Sequence, residues 1–60
     1  MYQIFNEVEN KIIFESSNDL EFIEFVEKLT IENEDFQYSV LGVSDAIEYI
    51  EDYCGNLSLI

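Results

Sequence analysis

The balance of charge is the feature that most constrains how this chain can fold. Fourteen of its 60 residues are Asp or Glu, only two are Lys or Arg and none is His, so the formal net charge is −12 at pH 7. Repulsion among the carboxylates opposes compaction, but 48% of the residues are hydrophobic, which is unlike a disordered acidic tail. The composition therefore predicts a small folded core under a shell of carboxylates. Such a surface attracts basic proteins and repels nucleic acids and anionic membranes.

The length predicts one domain, residues 1–60, because a chain of this size buries only about 60% of the surface that it exposes when unfolded. The single cysteine, Cys54, cannot form an internal disulfide, and domains this small usually need a staple or a second subunit. We therefore expect a homodimer. The sequence also lacks a targeting segment and a membrane-spanning run of roughly 20 apolar residues, so a cytoplasmic protein without membrane contact is expected.

Residues 1–15 have the pattern of a β-hairpin, in which β-branched and aromatic side chains flank a polar centre at Glu9 and Asn10. Asn tolerates the left-handed backbone of tight turns, although Lys11 stands where a glycine would usually follow. A helix is predicted next, from Asp19 to about Leu29. Its N-terminus would be a capping box formed by Asn18 and Glu21. One arc of this helix is apolar and the other is charged, with Glu24 and Lys28 spaced as an ion pair.

Residues 36–41 alternate between apolar and polar side chains, which predicts a half-buried strand that ends at Gly42. Ser44 is expected to cap a second amphipathic helix, and Gly55 to adopt the left-handed conformation just after it. The apolar face of this helix contains Ala46, Ile47, Tyr49, Ile50, Tyr53 and Cys54. The last residues predict an edge strand or an arm for self-association through Leu57, Leu59 and Ile60.

These elements predict an α+β fold in ββαβα order, with a three- or four-stranded sheet and two amphipathic helices on one face. The other sheet face would be partly uncovered, and it is a second candidate interface. Its candidate side chains are Phe5, Ile13 and Leu41, or the residues that alternate with them along the strands.

Catalysis has little support, because the chain has no histidine and Cys54 lies on an apolar helix face, where a structural role is the simpler interpretation. Paired carboxylates carry no specificity in so acidic a chain. The two glycines form no phosphate-binding loop, and residues 32–35 lack the spacing and the glycine of a calcium loop. We therefore expect no catalytic residue, cofactor or metal site.

Direct nucleic-acid binding is disfavoured, because Lys11 and Lys28 are too few to neutralise phosphates. The opposite role, mimicry of a nucleic acid toward a basic protein, fits better. Carboxylates on the first helix rise about 4.5 Å apart along its axis, against about 3.4 Å for successive phosphates of one DNA strand. The expected partner-binding residues are Glu21, Glu24 and Glu27 on the first helix, Glu32, Glu34 and Asp35 after it, and Glu48, Glu51 and Asp52 on the second helix.

In size, charge and simple strand and helix organisation, the whole chain resembles the small acidic proteins with which phages and mobile elements disable host machinery, including DNA mimics and inhibitors of bacterial defence systems. Those proteins share no common motif, so the resemblance assigns no role to any single residue. It implies a phage-encoded, non-catalytic inhibitor that blocks a basic surface of a host nucleic-acid-handling or defence protein in the bacterial cytoplasm. A small acidic antitoxin or immunity protein fits the resemblance equally. The alternative is a structural or adaptor subunit that assembles through the apolar sheet face and the C-terminal residues.

Overall fold

Three antiparallel strands and two helices make up the fold, in a computed structural model that describes residues 1–60. The elements are β1 (Tyr2–Asn6), β2 (Lys11–Ser16), α1 (Asp19–Glu32), α2 (Val43–Tyr53) and β3 (Leu57–Leu59). The strand order is β2-β1-β3, with β1 in the centre and antiparallel to both neighbours. The predicted α+β class, with a small sheet and two helices, is confirmed.

The hairpin of β1 and β2 forms where the pattern predicted it. The Asn6 side chain accepts hydrogen bonds from the N–H groups of Val8 and Glu9, and Asn10 has a φ of 58°, as expected for an asparagine in a tight turn. The register shifts after Ile4, which leaves Ile13 as an extra residue in β2. Because of this bulge, Ile13 packs against the core and does not belong to the outer sheet face as predicted.

The start of α1 also follows the sequence signals. The Asn18 side chain accepts a hydrogen bond of 3.0 Å from the N–H of Glu21 and is the predicted N-cap. The capping box is not completed, because the Glu21 carboxylate accepts from the Ser16 hydroxyl, which in turn accepts from the N–H of Asn18. The helix runs on to Glu32 and buries Phe22, Val26 and Thr30.

Replacing Asn18 with alanine is expected to lower the free energy of unfolding by about 1 kcal/mol, the usual cost of losing an N-cap side chain. Urea denaturation followed by circular dichroism measures this loss. Ser17→Ala is the matched control, because Ser17 is exposed and makes no side-chain hydrogen bond. It should change stability by less than about 0.5 kcal/mol. Equal losses in the two variants would show that the cap does not stabilise α1.

The strand predicted at residues 36–41 is wrong, because residues 33–42 form the loop between the helices. The backbone of this segment bonds to the helices: the N–H of Asp35 donates to the carbonyl of Thr30, and the N–H of Leu41 to the carboxylate of Asp45. The free edge of β1 is taken instead by β3, whose Leu57 pairs with Asn6. The third strand therefore follows α2, and the C-terminal residues form the predicted edge strand and not a free arm.

The start and end of α2 differ from the prediction. The helix begins at Val43 with Gly42 as N-cap and no side-chain cap, so Ser44 lies inside its first turn. No glycine has a positive φ, so Gly55 does not adopt the left-handed conformation. Tyr53, predicted on the apolar face, is 57% exposed. The buried core comprises Ile4, Phe22, Val26, Val40, Ala46, Tyr49, Ile50 and Cys54.

Candidate functional site

The carboxylates predicted to bind a partner are almost all exposed. The exception is Asp35, which is half-buried and accepts a hydrogen bond from the Tyr49 hydroxyl. The only ion pair joins Lys11 Nζ and Glu9 Oε1 at 3.6 Å, so the predicted pair of Glu24 and Lys28 does not form. None of the predicted partner-binding carboxylates is therefore neutralised by a cation of this chain.

The three predicted carboxylates of α1 do not form one straight row. Glu21 and Glu24 line a groove between α1 and β2, together with Glu15, Lys28 and the stacked rings of Phe14 and Phe25, whose centroids are 4.6 Å apart. Glu27 lines a different groove, between α1 and the loop of residues 33–42. A spacing of three residues falls about 60° short of a full turn, so two such steps rotate the side chain far around the helix.

Several carboxylates lie where they oppose helix stability. Glu32 is the last residue of α1, and Glu51 and Asp52 lie in the last turn of α2, with no basic residue in either last turn. The C-terminal end of a helix carries a partial negative charge, so each carboxylate there is unfavourable by about 0.3–1 kcal/mol. The presence of carboxylates at these three positions is therefore not explained by helix stability.

A network of tyrosines attaches the loop to α2. The buried hydroxyl of Tyr49 donates to the Asp35 carboxylate and accepts from the Asn33 amide at 3.1 Å. The hydroxyl of Tyr38 lies 3.0 Å from the main-chain oxygen of Asp45 and 3.2 Å from the Glu48 carboxylate. The rings of Tyr38, Tyr49 and Tyr53 pack together with centroids 4.9 to 5.3 Å apart. The loop is therefore tied to α2 by hydrogen bonds and by aromatic packing.

The same network changes the acidity of its members. Burial, assisted by the hydrogen bond to Glu48, raises the pKa of Tyr38 to about 12. Burial and the bond to Asp35 raise the pKa of Tyr49 to about 12. Burial, and then the nearby Asp35 charge, also raise the pKa of the Cys54 thiol. Cys54 is buried as predicted, and a thiol in these surroundings stays protonated and is a poor nucleophile.

We expect stability to fall between about pH 10 and about pH 12. The pKa of Tyr38 and of Tyr49 is raised from 10.0 to about 12, so the folded state holds more protons than the unfolded state in this range. Stability from these groups is complete below pH 10.0 and is lost as pH rises through the folded pKa. Urea unfolding at a series of pH values measures this decline. The decline should be smaller in Tyr38→Phe, and an equal decline in that variant would contradict the prediction.

An exposed apolar surface beside Glu27 was not predicted from the sequence. Ile31, Phe36 and Leu41 are 63%, 73% and 86% exposed, and they line one groove with Tyr38 and Val40. Two signals were present in the sequence. Leu41 occupies a solvent position of the predicted strand, and Ile31 lies beyond the predicted end of the first helix.

The residues predicted for self-association are only partly available. Leu57 and Leu59 belong to β3 and pack against the core, whereas Ile60 is exposed. On the outer sheet face Phe5 pairs with Ile12 beside a polar pair of Gln3 and Glu15. Leu41, predicted on that face, lies in the loop between the helices instead.

No group of three or more carboxylate or cysteine side chains is arranged to hold a metal ion, and neither helix is long and apolar enough to cross a membrane. Comparison with protein-family models, with curated proteins and with solved structures gives no match. Any functional conclusion therefore depends on the residues of this chain.

Proposed function

We propose that this protein is a non-catalytic inhibitor that covers a basic surface of a nucleic-acid-handling protein. A phage-encoded inhibitor of a host defence or nucleic-acid-processing protein is the form of this function that the size and the charge favour. The carboxylates would occupy positions where the target normally binds phosphates, and the mechanism would be occlusion.

The observation that carries this proposal is the placement of unpaired carboxylates at both helix C-termini. Glu32, Glu51 and Asp52 are exposed, have no cationic partner and oppose the helix dipole. A small domain has little stability to lose, so a charge distribution that lowers it requires another explanation. Binding to a basic partner would explain this charge distribution, because the cations of the partner would neutralise the same carboxylates in the complex. Such charges also accelerate association, which then depends strongly on salt.

Capture followed by displacement tests the proposal. The chain is immobilised and exposed to a bacterial lysate at low salt, and the retained proteins are eluted first with duplex DNA and then with salt. We expect DNA to release a nucleic-acid-binding protein, because the chain and the DNA compete for one basic surface.

The control is the same column with Glu27, Glu51 and Asp52 replaced by lysine, which should retain much less of that protein. Two results would contradict the proposal: retained proteins that DNA does not release, or equal retention by the variant. An enzymatic activity of the purified chain would contradict its non-catalytic part.

A further inference from the structure

The groove beside α1 combines exposed apolar side chains with an acidic border. It has a volume of about 290 Å³ and lies between the end of α1 and the loop of residues 33–42. Ile31, Phe36 and Leu41 line it and are largely exposed, and Glu27 is its only charged residue. This volume is at the lower end of ligand pockets, which suits one or two side chains of a partner.

A second concavity lies on the other side of Phe36. It is lined by Glu34, Asp35, Phe36 and Gln37, and Glu34 is exposed. The ring of Phe36 thus separates an apolar groove from an acidic concavity. A cation above an aromatic face gains about 0.5–1 kcal/mol at an exposed site, and a neighbouring carboxylate adds to this attraction.

Backbone hydrogen bonds anchor the loop that carries Phe36. The N–H of Glu34 donates to the carbonyl of Ile31, and the N–H of Tyr38 to the carbonyl of Asp35. Glu34 itself has a φ of 60°, an unfavourable conformation for a residue with a side chain. An exposed apolar residue on a fixed loop loses little entropy on binding, which is typical of residues that dominate an interface.

The charge of the chain decides between the candidate occupants of the groove. A second copy would bring another net charge of −12 to a border that is already acidic. A basic segment would meet complementary charge on both sides of Phe36. Charge complementarity therefore favours a basic partner over self-association at this surface.

We infer that the groove binds a basic amphipathic segment of the partner protein, which places an apolar side chain between Ile31 and Leu41. A Lys or Arg of the same segment lies over Phe36 and beside Glu34. The inference rests on the proposed function, since it assumes a basic partner, and it adds the position of the main contact. The apolar groove would slow dissociation, whereas the surrounding carboxylates would accelerate association.

Two synthetic helical peptides of equal length and equal positive charge test the inference. One carries leucines along the face opposite its lysines, and the other carries alanines there. Titration into the isotope-labelled protein, followed by NMR, should show that the leucine peptide binds at least about ten-fold more tightly. Its largest signal changes should be at Ile31, Phe36 and Leu41.

The double variant Phe36→Ala, Leu41→Ala should abolish the difference between the peptides. Both side chains are exposed, so this variant should stay folded. The control replaces Val8 and Leu20 with alanine, since both are exposed apolar residues outside the groove, and should keep the difference.

Three results would overturn the inference. Equal binding of the two peptides would exclude an apolar contact while leaving the acidic attraction intact. A difference that persists in the double variant would place the contact elsewhere. Changes at Ile31, Phe36 and Leu41 on dilution without peptide would identify a second copy as the occupant. If neither peptide binds at low salt, the proposed function itself is contradicted.

Discussion

Replacing Tyr49 with alanine is expected to leave most of the chain unfolded at room temperature. Tyr49 is the largest fully buried side chain, and it contacts the rings of Tyr38 and Tyr53. Removing a buried aromatic ring costs about 3–5 kcal/mol. A core of this size seldom supplies more than about 3–5 kcal/mol of stability, so little would remain. Far-UV circular dichroism and the dispersion of NMR signals would show the loss of structure.

Tyr49→Phe is the matched variant, because it keeps the ring and removes only the hydroxyl that donates to Asp35. We expect it to fold, with a loss of about 1–3 kcal/mol from the broken hydrogen bond to the carboxylate. The amide of Asp35, which bonds to the carbonyl of Thr30, should exchange faster with solvent because the loop is less firmly held. A folded Tyr49→Ala variant, or equal losses in both variants, would contradict this description of the core.

The elements that the sequence predicted well have local causes. The N-cap at Asn18 and the left-handed residue Asn10 depend on side chains within a few residues. The helical period likewise placed Phe22 and Val26 in the core. Each of these signals depends on residues that are close in the sequence, so it can be recognised without knowledge of the tertiary structure.

The loop of residues 33–42 could not be predicted in the same way, because its cause is non-local. The alternation from Phe36 to Leu41 is compatible with a strand, but in the folded chain β3 pairs with the second edge of β1 and residues 33–42 pack as a loop. Hydrogen bonds of the half-buried Tyr38 in the loop and of the buried Tyr49 in α2 then join the loop to α2. The conformation of residues 33–42 therefore depends on contacts with segments that are distant in the sequence.

Only part of the candidate site could be predicted, because its remaining features also depend on contacts between distant segments. Helical periodicity correctly placed Glu24, Glu27 and Glu51 in solvent. Their grouping was not predictable, because it depends on what packs beside each helix. Glu27 borders the apolar groove only because the loop lies there, and the exposure of Phe36 follows from the same loop.

Replacing Glu27, Glu51 and Asp52 with lysine is expected to stabilise the protein while it abolishes most partner binding. Each replacement adds two units of positive charge, so the net charge changes from −12 to −6. Lysine near the end of α2 interacts favourably with the helix dipole, so the free energy of unfolding should rise by about 1 kcal/mol. Affinity for the DNA-displaceable protein from the capture experiment should fall at least about ten-fold, mainly through slower association and a weaker salt dependence. Urea denaturation and surface plasmon resonance measure the two effects.

The matched control is the lysine triple variant at Glu7, Glu9 and Glu15 of the hairpin, which changes the net charge equally. These carboxylates contact Ser58, Lys11 and Gln3 respectively, so their reversal should lower stability. It should also affect binding less, because only Glu15 of the three lies beside predicted partner-binding carboxylates, namely Glu21 and Glu24. Higher stability together with lower affinity in the first variant, and a smaller loss of affinity in the hairpin variant, would identify a binding role. Equal losses of affinity in both variants would show that only net charge matters, and unchanged affinity in both would mean that the acidity serves solubility alone.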